Sequence, residues 1–156
     1  MIKVLFVCLG NICRSPMAEA VMKDLIEKEN LESKIIVDSA GTGNWHIGNP
    51  PHEGTRDILT KNQIKFEGLT ARQVIKEDLP SFNYIIGMDT ENVGNLRRLA
   101  GNEKTGYIGR LLDYIEDSDQ VDVPDPYFTG NFDEVYEMVT RGCKNLLEYI
   151  KKENKL

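Results

Sequence analysis

Short apolar runs alternate along this chain with stretches of helical period. Lys3–Val7 (K-V-L-F-V) and Ile35–Val37, the latter followed by Asp38, read as fully buried strands. A strand covered on both faces shows a continuous apolar run where a half-exposed one would alternate. Tyr84–Met88 (Y-I-I-G-M) predicts a third strand, and the Gly106–Leu112 region a fourth, with Gly109 blurring its edges. The intervening segments predict helices. Ser15 suits a helix cap and Pro16 a first turn, and Val21, Met22, Leu25 and Ile26 then form one stripe ending near Asn30. Two further helices are expected over about Glu53 to Lys61 and about Asp89 to Leu99, with Leu96 and Leu99 on the inner face of the second. The clearest pattern is the last, where Val135, Met138, Val139, Leu146, Leu147 and Ile150 recur at helical spacing. Cys143 falls in the same stripe and reads as a small buried hydrophobe.

Strands alternating with helices imply a doubly wound α/β domain, with four parallel strands and helices on both faces. No repeat, linker or low-complexity tract interrupts residues 1–156, so a single domain is expected. Folds of this kind bind ligands at the carboxyl ends of their strands. Two long loops belong there, the Gly- and Pro-bearing Ser39–His52 and the Asp-rich Asp113–Asn131.

Charge and composition narrow the function. A net charge of −6 repels nucleic acid and anionic membranes, so neither is expected as a partner. The apolar start is too short to span a bilayer and lacks the layout of a signal peptide. Three cysteines, an odd number in a chain without an export signal, read as reduced thiols in a cytoplasmic protein. With only His46 and His52 and no C-x-x-C pair, no metal site is expected, and no cofactor is called for.

The segment Cys8–Ser15 (C-L-G-N-I-C-R-S) lies between the first strand and the proline-started helix. A bare C-x5-R pattern is weak; its setting gives it meaning. The five residues Leu9, Gly10, Asn11, Ile12 and Cys13 are enough for the backbone to curl around a phosphate-sized anion. Gly10 and Asn11 tolerate positive φ, which turns successive N–H groups inward. The following helix aims its free N–H groups at the same spot, and Arg14 adds a planar fork of donors. That field favours Cys8 as a thiolate, with Ser15 able to donate to its sulfur. A thiolate beneath a bound phosphate is placed for attack on phosphorus without a metal.

The stretch V-C-L-G-N-I-C-R-S-P-M-A-E-A resembles the signature of low-molecular-weight protein tyrosine phosphatases. The likeness continues through Asp38–Thr42 (D-S-A-G-T), Gly48–Pro51 (G-N-P-P), Ala71–Val74 (A-R-Q-V), Met88–Asp89 and Asp125–Tyr127 (D-P-Y), in the family's order over almost the whole chain. The resemblance implies a hydrolase acting on phosphotyrosyl proteins through a phosphocysteine on Cys8, with Arg14 as phosphate clamp. It implies that Asn11, Ser15 and Ser39 brace the loop, and that Asp125 is general acid and then base. Asp113, Asp117, Asp119, Asp122 and Asp125 are all acids of the right region; only Asp125 sits between two prolines, which bias it toward an extended, fixed backbone. Trp45 and Tyr127 are implied as walls for the substrate ring, with His46 and Ile47 as lesser neighbours. Cys13 is implied as a reversible disulfide partner that protects Cys8.

Two departures stand out. Many members carry a histidine that supports the loop asparagine where this chain has Leu69, which puts the activation of Cys8 in question. Where relatives have two tyrosines after D-P, this chain has Tyr127–Phe128. Arsenate reductases share the loop but need relay cysteines, and Thr90–Gly106 holds none. Phosphoarginine phosphatases typically carry Thr where Ile12 stands. A catalytically silent phosphate-binding regulator would need neither nucleophile nor acid. The expected assembly is a monomer or a weakly self-associating one.

Overall fold

The computed structural model describes residues 1–116 and 118–156. Four parallel strands, β1 (Ile2–Cys8), β2 (Ile35–Gly41), β3 (Tyr84–Gly87) and β4 (Tyr107–Arg110), form one sheet in the order β2-β1-β3-β4. β1 pairs on both sides, from Ile2 opposite Ile35 to Cys8 opposite Gly41, and from Val4 opposite Tyr84 to Val7 opposite Gly87. Its alternation sorts side chains between two cores. Val4 and Phe6 enter one with α1 (Arg14–Lys28), α2 (Glu53–Lys61) and α6 (Phe132–Asn154). Leu5 and Val7 enter the other with α3 (Asp78–Ser81) and α4 (Thr90–Ala100). Burying each of these large apolar side chains contributes about 1.5–3 kcal/mol, so the central strand is anchored on both faces.

This is the doubly wound sheet expected from the sequence, and the α2 bounds agree residue for residue. Three features differ. β2 runs on to Gly41 through the polar Asp38 and Ser39, because its end borders the loop after β1 instead of closing the core. The fourth strand is confined to Tyr107–Arg110, since the chain tightens into a 3-10 turn at Leu111–Tyr114 that packs against α6. Ser15 is not the cap of α1: the helix begins at Arg14, its cap position is Cys13, and no side chain caps it. Ser15 is thereby buried in the first turn, where its hydroxyl serves a different partner. Two short helices had no periodic signal to announce them, α3 and α5 (Pro126–Thr129), each a single turn.

The strand order reverses direction beside β1, so the crevice at the carboxyl end of β1 is the natural ligand position of such a sheet. The loop after β1, the loop after β2 and Asp125 with α5 meet there.

Candidate active site

Between Cys8 and Arg14 four backbone carbonyl groups turn outward and find donors in neighbouring segments. The Cys8 carbonyl accepts from Thr42 N–H at 2.9 Å, Leu9 from Gly43 at 2.8 Å, Ile12 from His52 at 2.7 Å, and Cys13 from the Thr55 hydroxyl at 3.2 Å. In a planar trans peptide the following N–H points the opposite way. The N–H groups of Leu9, Gly10, Cys13 and Arg14 therefore face the enclosed side, an anion nest continued by the uncapped start of α1.

Asn11 adopts the left-handed conformation, φ 57°, as its residue type permits. Gly10, expected to do the same, keeps φ outside that region. Its missing Cβ instead makes room for His46, whose ring would lie 3.1 Å from it. The close approach that demands glycine is at Gly41. A Cβ there would stand 2.9 Å from the Leu9 carbonyl oxygen and 3.1 Å from the Asn11 nitrogen.

Polar side chains lock this turn from behind. Asn11, 2% exposed, donates through Nδ2 to Ser15 Oγ at 2.7 Å and to Ser39 Oγ at 2.9 Å, and its Oδ1 accepts from the Arg72 N–H at 3.0 Å. Cys8 Sγ lies 2.9 Å from Ser15 Oγ and accepts from the Asn11 N–H at 3.3 Å. Leu69 makes no part of this network; it packs half-buried against the larger core. The backbone N–H of Arg72 supports the loop asparagine.

Arg14 is buried and points between three acceptors. Its Nη1 donates to Asp89 Oδ2 at 2.6 Å and to the Val123 carbonyl at 2.9 Å, and Nη2 to Asp125 Oδ2 at 3.4 Å. Its Nε is buried and unpaired among the described residues, a donor left over for an anion. Burial works against the guanidinium charge, but Cys8, Asp89 and Asp125 outweigh it and raise its pKa above the ordinary arginine value. Asp89 also caps α4 by accepting from Asn92 N–H at 2.7 Å, so it is fixed at both oxygens.

Asp125 lies at the start of α5 in extended backbone, φ −84° and ψ 110°, and its Oδ1 accepts from Tyr127 N–H at 3.1 Å. The other acids of that loop are elsewhere: Asp113 pairs with Arg110, and Asp122 binds the N–H and hydroxyl of Thr90. Asp119 does not line the pocket, and Asp117 lies outside the described residues.

Above the loop is a pocket of about 240 Å³. Cys8, Leu9, Ile12 and Cys13 form its floor, and Asp125 stands at one edge. Trp45, His46, Tyr127 and Phe128 form the walls. Trp45 is 67% exposed and Phe128 74%, so the rim is an open aromatic collar. Cys13 shares the floor with Cys8, but burial, Asp125 and Cys8 together push its thiol up to about 12. Cys143 lies apart on α6, fully buried, with its thiol pushed up by burial alone.

The chain matches the sequence profile of the family described as low molecular weight phosphotyrosine protein phosphatase over residues 3–156. It is 62% identical over 156 residues, all of both chains, to the low molecular weight protein-tyrosine-phosphatase YfkJ of Bacillus subtilis. The chain belongs to this family. The crystal structure of that Bacillus subtilis phosphatase superposes with a TM-score of 0.96 at 63% identity, covering 98% of this chain and 96% of the other. The Staphylococcus aureus phosphatase PtpA is 47% identical over all of this chain and 98% of its own length. A Drosophila arginine phosphatase also matches, with a TM-score of 0.90 at 35% identity over 96% of this chain and 98% of that one.

In this phosphatase Cys8, Leu9, Gly10, Ile12, Cys13, Trp45, His46, Asp125 and Tyr127 line the pocket, Asn11, Arg14, Ser15 and Ser39 lie behind it, and Ile47 does not line it. Sequence reasoning assigned no role to Asp89, although the pair Met88–Asp89 was part of the resemblance. A capping residue right after a buried strand, at the carboxyl edge of the sheet, was the available signal. Phe128 was noted only as a replaced tyrosine, yet it forms a wall. No helix among the described residues is long and apolar enough to cross a membrane, and no cluster of three or more potential metal ligands occurs among them.

Proposed function

We propose that this phosphatase hydrolyses phosphotyrosine in protein substrates through a phosphocysteine on Cys8, as one cytoplasmic domain spanning residues 1–156. The observation that carries this reading is the position of Cys8 Sγ on the floor of an aromatic-walled pocket, with Asp125 at its edge and the buried Arg14 bonded to Asp125. Phosphate oxygens occupy the nest, and Arg14 turns its unpaired Nε and its fork onto them. Cys8 sulfur attacks phosphorus in line as the P–O bond to the phenol breaks. Asp125 gives the leaving oxygen its proton. Asp125 then takes a proton from water, the water oxygen attacks phosphorus, the S–P bond breaks and inorganic phosphate leaves. Neither half-reaction calls on a metal or cofactor, because the N–H groups and the guanidinium hold the equatorial charge.

Trp45 and Tyr127 flank the substrate ring in this reading, and Phe128 extends the collar toward residues beside the phosphotyrosine. Such walls favour an aryl phosphate over phosphoarginine, whose guanidino group would need polar partners where Ile12 and Leu9 stand. Cytoplasmic residence fits three buried free thiols, one of them the nucleophile. A monomer, or a weakly self-associating chain, is sufficient for the reaction, since all the groups invoked come from one chain.

The test is turnover of a small aryl phosphate in EDTA by the wild type and by Cys8→Ser. Activity that survives chelation and disappears in the variant is expected. A wild type without activity, or a Cys8→Ser variant that keeps its rate, would overturn the mechanism.

A further inference from the structure

Behind the loop a chain of hydrogen bonds runs from the catalytic sulfur to the surface, and its far end is a buried carboxylate with no assigned role. Glu19, on α1 and 4% exposed, accepts from the Ser39 hydroxyl through Oε1 at 2.6 Å and from Lys23 Nζ through Oε2 at 2.5 Å. Lys23 is half exposed at its side chain, so the chain ends in solvent. From Glu19 inward the links are Ser39 Oγ, Asn11 Nδ2, Ser15 Oγ and Cys8 Sγ.

Serine hydroxyls have one proton each and can point it either way, so the direction of the chain is a matter of which ends are fixed. A carboxylate facing an ammonium offers only acceptors. Ser39 must spend its proton on Glu19 and is left as an acceptor for Asn11 Nδ2. At the opposite side, the Arg72 N–H can only donate and holds Asn11 Oδ1. With both amide protons committed to Ser39 and Ser15, Ser15 has its own proton free, and the sulfur of Cys8 is the acceptor at 2.9 Å. We propose that Glu19 is a positioning residue of this enzyme, which keeps Ser39 an acceptor for Asn11 and so holds Asn11 Nδ2 on Ser15 with the Ser15 hydroxyl aimed at Cys8. The proposal rests on Cys8 being the nucleophile of the phosphatase reading.

Glu19→Gln tests the polarity more sharply than removal of the side chain. Lys23 still demands an acceptor and takes the amide oxygen of the new residue, so its NH₂ faces Ser39. Ser39 then accepts from the glutamine and turns its own proton toward Asn11 Nδ2. Donor meets donor. The Arg72 N–H still holds Asn11 Oδ1, so the amide cannot turn over; it backs away from Ser39, its Nδ2 is drawn off Ser15 Oγ, and the Ser15 hydroxyl loses its aim at Cys8. Replacing Lys23 as well lets the glutamine oxygen return to Ser39, and the original direction is restored.

The measurement is the pH dependence of iodoacetamide alkylation at Cys8, followed by peptide mass spectrometry so that Cys13 does not interfere. The groups facing Cys8 are Arg14 and Cys13 from its own loop and α1, His46 from the loop after β2, and Asp125 and Tyr127 from α5; all are the same in every variant. Those facing Glu19 are Lys23 on its own helix and Ser39 on β2. Glu19→Gln should move the alkylation midpoint up by about one pH unit, a tenfold loss of reactive sulfur below it. Its kcat should fall with little change in KM, and Glu19→Gln with Lys23→Met should recover at least half of the shift. An unmoved midpoint in Glu19→Gln overturns the proposal. So does a double variant with the full shift of the single one, because loss of charge alone then explains it. If Glu19→Gln fails to fold, Ser39→Ala cuts the same chain, and an unmoved midpoint there overturns the proposal equally. Should the shifts appear while the wild type hydrolyses no aryl phosphate, the positioning role stands and the phosphatase reading fails.

Discussion

The two loops that meet over the sulfur are held in opposite ways. Cys8–Ser15 is buried except at Leu9 and Gly10, and its carbonyl groups and the Asn11 side chain are tied to four other segments. Among the described residues, the acid-bearing loop around Asp125 is held by Asp122 to Thr90, Val123 N–H to the Met88 carbonyl, Arg14 to the Val123 carbonyl and to Asp125, and the one-turn α5, whose Tyr127, Phe128 and Thr129 are exposed. In the proposed reaction the first loop must hold an anion in every step, and it is over-determined. The second would deliver and then retrieve a proton, and its acid is fixed by local backbone. The difference implies that changes in the first loop cost both stability and activity, whereas changes in the second cost activity alone.

Asp125→Asn should show the largest activity effect without a stability effect. Loss of a general acid lowers turnover by about 10²–10⁴-fold, read with an aryl phosphate whose leaving group is poor, and the urea midpoint should stay at the wild-type value. A matching fall in the urea midpoint would remove the contrast between the loops. Gly41→Ala sits at the other pole. Its Cβ would press on the Leu9 carbonyl and the Asn11 nitrogen, so unfolding should become easier by about 1–3 kcal/mol, and kcat should fall in the same variant. Asp89→Asn stands between them, since it caps α4 and orients Arg14. The cap survives with asparagine, so the expected effect is a rise of several-fold in the inhibition constant for inorganic phosphate, larger than any change in stability. Trp45→Ala should be smaller still. With two-thirds of its surface exposed, its loss should raise KM for aryl phosphates a few-fold and leave the urea midpoint alone.

The weakest expected effect is on alkaline stability. The Cys13 thiol is pushed from 9.0 to about 12 by burial and its anionic neighbours. The folded protein therefore keeps a proton that the unfolded chain gives up, so stability is intact below about pH 9 and declines between 9 and 12. Cys13→Ala should show a shallower decline in urea midpoint over that range, and an identical slope would contradict the assignment.

The same contrast explains what could be read from the sequence. β1, α1, α2 and α6 were legible because each carries a long periodic or unbroken apolar pattern, and the phosphate loop because its residue types do their work locally. The single-turn α3 and α5 have too few residues for a period. Serine before proline fits a helix cap by local rules, and only the contacts of Ser15 with Asn11 and Cys8 show where its hydroxyl goes. Gly10 does not adopt the positive φ its residue type permits; sequence alone does not distinguish a glycine that supplies a turn from one that leaves space for a neighbour such as His46. Asp89, Glu19 and Arg72 act on the loop from distant positions in the chain, and their roles appear only once the fold has brought them together.

The first turn of α1 has no side-chain cap, and this makes occupancy and folding a single equilibrium. An oxyanion in the loop completes hydrogen bonds that other helices satisfy from their own residues, so anything tetrahedral and negative acts as a missing piece of secondary structure. At a hundredfold excess over its dissociation constant such an ion adds about 2.7 kcal/mol to the folded state. The protein's measured stability is then partly a property of its buffer. A phosphate-buffered preparation and one free of oxyanions would differ in melting temperature before any substrate is added.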